Sequence, residues 1–255
     1  MILRSFSLST GFGAWDSDAE RMEGLLLAFC SSVANSRIRT ALKREKLLTT
    51  GIADIAIVPT VEKLPEPQQF AHILPVHVLF DWQAFSDWLG DKAAVHEALN
   101  SNDPDAFSKL HGPSDVIRDM ICGAMLRSLG RVPERFNLPT AKFEQMVHEI
   151  HETPYELAWT YCSRRFAQLD LTARLECLLL AGEFRLSLSL LRRKQIVWTR
   201  VIFSSWPEAM FWHGAFKDVE LLGDTLVVTR RIGNFNQDQS LDFDLFSLPL
   251  NEIPT

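Results

Sequence analysis

Long apolar runs are missing from this chain. Apolar runs such as Leu178–Ala181 fall far short of the roughly 20 residues that a membrane helix needs, so no membrane partner is expected. The start also lacks the apolar core of a signal peptide. Residues 1–10 carry Arg4 and three serines, and a cytoplasmic location is expected. Cysteine is sparse: Cys30, Cys122, Cys162 and Cys177 are widely scattered, and no pair has the spacing of a zinc knuckle or a redox motif. Each sits among apolar neighbours, as in Leu27-Ala28-Phe29-Cys30, so all four are expected as buried, reduced thiols. Internal repeats and low-complexity segments are absent.

Positive charge is not in excess. Lys and Arg number 26 against 32 Asp and Glu, a net charge of −6, which argues against wholesale nucleic-acid binding but leaves room for a local basic patch. The catalytic texts are missing as well. There is no Gly-x-Ser-x-Gly elbow, and no Gly-Lys-Ser or Gly-Lys-Thr to build a Walker loop. Gly11-Phe12-Gly13 stands before a helix start, where backbone N–H groups can hold phosphate, but Asp16 takes the place of the third glycine of a dinucleotide fingerprint. The plainer reading is a strand-to-helix turn, and no cofactor is expected.

Among the features that are present, residues 184–203 say most. Phe184, Leu186, Leu188 and Leu190 alternate with Arg185, Ser187 and Ser189, the period of a half-buried strand. Arg192-Arg193-Lys194-Gln195 interrupts the alternation, and Ile196–Phe203 follows, β-branched and aromatic as strands prefer. The pattern predicts an antiparallel hairpin with three cations at its tip.

Elsewhere, residues 1–9 resemble a strand. Ser17-Asp18-Ala19-Glu20 reads as a capping box opening a long helix towards Lys46, with Lys43, Arg44 and Lys46 favourable at its C-terminus. Ile52–Val58 reads as a buried strand. The prolines of 59–69 suggest a surface linker, and Ile73–Phe80 a strand that Pro75 pushes towards an edge. The middle is helical, with starts at Asp103-Pro104, Gly112-Pro113-Ser114 and Thr140. Thr153-Pro154-Tyr155-Glu156 reads as a second capping box, predicting helices near 154–168 and 172–181. A short aromatic helix is expected from Ser205, a hairpin turn at Leu222-Gly223-Asp224, and a last strand over 241–248.

Three groups of residues are candidate sites. Glu144, His148 and His151 lie at i, i+4 and i+7 on one helix flank, and their donor types suit zinc or iron. His72, His77, His111 or His213 would have to complete a ligand set, and the plain alternative is a polar helix flank. Arg192, Arg193 and Lys194, with Arg185 and Arg200 on the flanking strands, form the strongest basic cluster, in a stretch without acidic residues. Such a cluster can grip phosphate or an acidic protein surface, or merely protect a sheet edge. Trp198 within it can stack on a base or pack in the core. Trp206, Phe211, Trp212 and Phe216 concentrate aromatics that serve as interface anchors if exposed and as core if not.

The expected fold is α+β, a helical middle packed on antiparallel sheet elements from both ends of the chain. It is read as one domain, 1–255, with a possible lobe boundary near 59–70. The expected function is a non-catalytic binding protein that docks on another protein through Arg185, Arg192, Arg193, Lys194, Arg200, Trp206 and Trp212. The alternatives are a nucleoprotein subunit holding phosphate through the basic hairpin, and a metal-dependent enzyme using Glu144, His148 and His151.

Overall fold

A computed structural model of the chain describes residues 1–9, 18–61, 64–101, 103–207, 216–232 and 241–253. The chain forms two compact units, Met1–Glu156 with Leu180–Gly182, and Leu157–Leu179 with Glu183–Thr255. The fold class is α+β, as the sequence pattern predicts. The proline-rich stretch 59–69 lies inside the first unit.

In the first unit, β1 (Ser5–Leu8), β2 (Asp54–Thr60) and β3 (Ile73–Leu79) form a sheet in the order β1-β2-β3. Ser5 pairs with Asp54, and Asp54 with Ile73. This sheet is parallel, which corrects the antiparallel expectation for the N-terminal strands. The cause is α1 (Asp18–Glu45), which carries the chain back so that β2 starts beside the start of β1. Helices cover a parallel sheet on both faces, so β2 reads as the unbroken apolar run Ile55-Ala56-Ile57-Val58, buried throughout. Pro75 sits on the edge strand β3, as expected. Pro59 is tolerated in β2 because β1 pairs only as far as Ile57.

The helices are α2 (Trp82–Leu89), α3 (Lys92–Asn100), α4 (Pro104–Leu110), α5 (Ser114–Leu129) and α6 (Thr140–His151). Asp81, Asp91 and Asp103 cap α2, α3 and α4, each carboxylate accepting from backbone N–H groups of the first turn. α5 buries Ile117, Ile121, Ala124 and Met125 and packs on all three strands, α1 and α6. α6 turns Phe143, Met146, Val147 and Ile150 inward, with the Phe143 ring 4.8 Å from that of Phe6. Lys46, at φ 51°, takes the left-handed conformation that ends α1. The cap expected at Ser17 and the turn Gly11-Phe12-Gly13 lie outside the described residues.

Residues 153–156 start no helix, and this corrects the second capping box. The Arg37 guanidinium binds the Thr153 hydroxyl and the carbonyls of Pro154 and Glu156, and the Glu156 N–H donates to the Pro154 carbonyl at 2.8 Å, which holds the segment in a non-helical bend. The Tyr155 hydroxyl, buried, donates to the Cys30 carbonyl at 2.8 Å. The chain then enters β4 (Leu157–Phe166) and β5 (Leu171–Leu179), strands where helices were expected. Leu171, Ala173, Leu175, Cys177 and Leu179 are buried at every second position, so the alternation overrides the helix propensity of Leu, Ala, Arg and Glu.

The second unit is built of antiparallel strands throughout. β4, β5, β6 (Phe184–Arg192) and β7 (Gln195–Ser205) form one sheet in chain order. β8 (Phe216–Leu222), β9 (Thr225–Ile232) and β10 (Leu241–Pro249) form another. Their apolar faces meet: the Phe216 ring stacks on Phe184 at 6.1 Å and meets Phe203 edge-on at 5.5 Å. Gly223, at φ 62°, makes the expected β8–β9 turn. A bulge between Asp244 and Phe246 re-aims β10, so that Phe246 and Leu248 pair with the buried Val228 and Leu226. The helix expected from Ser205 falls largely outside the described residues, and Ser205 itself ends β7.

Candidate functional site

The β6–β7 hairpin forms as predicted. Arg192 pairs with Gln195, leaving a two-residue turn of Arg193 and Lys194. Both residues have positive φ, 49° and 72°, the combination of a type I′ turn. Asn-Gly meets that geometry without strain, whereas side chains such as these cost roughly 1–2 kcal/mol per residue in the left-handed region. The Arg193 side chain is 89% exposed, and its Nε lies 3.9 Å from Asp170 Oδ2 on the neighbouring β4–β5 turn. Arg165 is at this end too, because it pairs with Thr172 and Thr172 with Leu191. Sequence reasoning missed Arg165 because it placed 154–168 in a helix. The buried alternation of 171–179 is the signal that restores it. Ile196, opposite Leu191 and 57% exposed, adds an apolar element beside these cations.

The other cations of the cluster do different work. Arg185 lies at the far end of β6, where its Nε donates to Glu183 Oε2 at 2.7 Å. Glu183 is 1% exposed and also accepts from the Ser204 hydroxyl at 2.7 Å. Arg185 is therefore part of a polar bracket tying β6 to β7. Arg200 places its guanidinium 5.5 Å from the centre of the Phe246 ring, and Trp198 stacks on the same ring at 6.1 Å. Trp198 thus packs within the unit, at the edge shared by β7 and β10.

Trp206 is 4% exposed, so it belongs to the core and is no surface anchor, which corrects its place among the docking residues. Trp212, Phe211 and His213 lie outside the described residues. Glu144, His148 and His151 occupy the exposed flank of α6, and His151 Nε2 lies 3.3 Å from Asp119 Oδ1. Among the described residues no three His, Cys, Asp or Glu side chains converge into a metal-binding group. The remaining described histidines are dispersed: His72 is 3.4 Å from Asp54, His77 is on β3, His96 is on α3, and His111 is stacked on Trp88.

The thiols follow the expectation in part. Cys30, Cys122 and Cys177 are buried and free, and Cys162 is free but half-buried. Burial pushes Cys122 up to about 11 and Cys177 up to about 12, and raises Cys30 further. None has the depressed value of an activated nucleophile.

Comparison with protein families, with characterised proteins and with solved structures gives no match for this chain.

Proposed function

We propose that this is a non-catalytic binding protein that docks on an acidic protein surface through the tip of its β6–β7 hairpin. The observation carrying this reading is the tip itself. Arg193 and Lys194 hold a strained left-handed turn with a guanidinium almost wholly in solvent. Strained backbone of this kind concentrates at functional sites. Arg192 and Arg165 extend the positive field at the same end, and Ile196 offers apolar area within it. Arg and apolar contacts together suit a protein interface, whereas base recognition calls for a stacking platform, and Trp198 is occupied by Phe246.

The test is affinity purification of the full chain from its native source, beside an Arg192→Glu/Arg193→Glu/Lys194→Glu variant. An acidic protein retained by the wild type and lost with the variant supports the reading. Equal retention by both chains refutes it. Co-purifying nucleic acid, released along a steep salt gradient, would favour a nucleoprotein subunit instead. About one tightly held metal ion per chain, lost on His148→Ala/His151→Ala, would favour a metal-dependent enzyme.

A further inference from the structure

The first unit contains a cavity of about 440 Å³ between the C-terminal turns of α1 and the starts of β1 and β2. Ile2, Leu3 and Leu42 give it an aliphatic lining, and Arg4, Arg39, Lys43, Lys46 and Asp54 ring it with charge. Leu3 and Leu42 are almost fully buried, whereas Ile2 is 50% exposed and stands at the mouth.

Arg39, Lys43 and Lys46 recur at i, i+4 and i+7, which places them on one flank of α1 around Leu42. Two acids lie nearby, and both are engaged. Asp54 binds the Arg4 guanidinium at 2.7 Å and the Ser5 hydroxyl at 2.8 Å, with His72 at 3.4 Å. Glu45 binds Arg44 at 3.1 Å and Lys142 at 3.3 Å. The side chains of Arg39, Lys43 and Lys46 make no hydrogen bond or ion pair among the described residues. Cations in the last turn of a helix are favourable against its dipole, but Arg39 stands well before that turn.

From the cavity's lining and its three cations, whose side chains have no ion pair among the described residues, we infer a binding site for a small aliphatic phosphomonoester. A phosphate monoester carries nearly two negative charges, which answers the cationic excess better than a single carboxylate does. Its aliphatic body would lie on Ile2 and on the stems of Lys43 and Lys46. Among the described residues no aromatic ring lines the cavity to stack a nucleobase. The volume falls within the range of small-molecule pockets. The site is independent of the hairpin and of the docking reading.

Hexyl phosphate, titrated into the full chain by calorimetry, tests this. It should bind saturably, one molecule per chain, with inorganic phosphate weaker by about tenfold or more and hexanol silent. Arg39→Gln/Lys43→Gln/Lys46→Gln should weaken hexyl phosphate about tenfold or more while the melting temperature holds, because these side chains are exposed. Ile2→Ser should weaken hexyl phosphate but not inorganic phosphate. Absence of saturable binding, binding undiminished in the triple variant, or inorganic phosphate equal to hexyl phosphate would each overturn the inference. So would adhesion to vesicles containing phosphatidic acid without binding of the soluble probe, since that is a surface and not a cavity. Arg193→Glu/Lys194→Glu should leave hexyl phosphate binding unchanged, which separates this result from that of the docking test.

Discussion

The Trp88 indole lies flat on the His111 imidazole, with ring centres 4.7 Å apart and planes 17° from parallel. Trp88 Nε1 donates to the Pro113 carbonyl at 2.8 Å, and His111 Nδ1 donates to the Gly112 carbonyl at 2.8 Å. The Phe107 ring also meets the imidazole, with centres 5.3 Å apart and planes tilted by 59°. Burial in this stack lowers the pKa of His111 from its ordinary 6.5, with the backbone hydrogen bonds opposing only in part.

Acid should therefore loosen the first unit before general carboxylate protonation does. The unfolded chain protonates His111 near 6.5 while the folded chain resists, so this contribution to stability is fully present above 6.5 and is lost as pH falls below it. His77, lowered by burial and then by Arg131, acts with the same sign. In urea unfolding at about pH 7.5 and about pH 5.5, the wild type should lose more stability than His111→Asn, whose residual slope reports His77. Equal slopes would contradict a buried neutral His111.

Gly182 is where this stack meets bare backbone. A methyl group there would stand 2.7 Å from His111 Nε2 and 3.0 Å from the Phe107 ring. Gly182→Ala should cost about 1–3 kcal/mol as an overpacked site. Gly223→Ala meets no atom within 4 Å, and its cost of about 1 kcal/mol should come from the left-handed backbone alone. Denaturant midpoints of the two variants provide the comparison.

The basic cluster should split into stability and binding. Arg193→Asn/Lys194→Gly gives the type I′ turn the residues it favours and should raise stability by about 1 kcal/mol. The same change should weaken partner binding. Arg185→Ala should do the reverse, costing about 1–3 kcal/mol by leaving the buried Glu183 carboxylate with Ser204. Thermal melts and partner titrations of both variants would show whether the two effects separate.

Thiol labelling should be graded. Cys162 is half-buried, and its pKa is raised by burial and then by Asp218. It should react first with maleimide, still more slowly than a free thiol, while Cys30, Cys122 and Cys177 wait for unfolding. Mass spectrometry after brief native labelling would show the order, and a native disulfide would contradict it.

Much of the fold is written in local pattern. The α1 stripe, the apolar run of β2, the inward face of α6 and the 184–203 hairpin all follow from periodicity, because each is decided by which side of one element is buried. The strands at 157–179 were hidden because Leu, Ala, Arg and Glu prefer helices and because Thr153–Glu156 imitates a helix start. The alternation over 171–179 is the one local signal for strand, and pairing with β6 decides in its favour. The cation-lined cavity was hidden differently. Lys43 and Lys46 already had a local explanation at the end of α1, and Arg4 and Asp54 reach them only through tertiary structure. Trp206 shows the converse, since an aromatic-rich segment reads the same whether buried or exposed.

The sheet topologies set different tasks for the folding chain. Among the described residues, every strand pairing of the second unit joins neighbours in sequence. In the first unit, Ser5 must find Asp54 across 49 residues, with all of α1 between them. Closing that distance costs chain entropy before any contact repays it, so the parallel sheet should mature after the hairpins. Until it does, Ile55-Ala56-Ile57-Val58 is an uncharged strand with both edges open, the kind of segment that recruits copies of itself. Pulse-labelled hydrogen exchange should find the β2 amides among the last protected. Refolding at high protein concentration should lose yield through that strand and not through the charged hairpin.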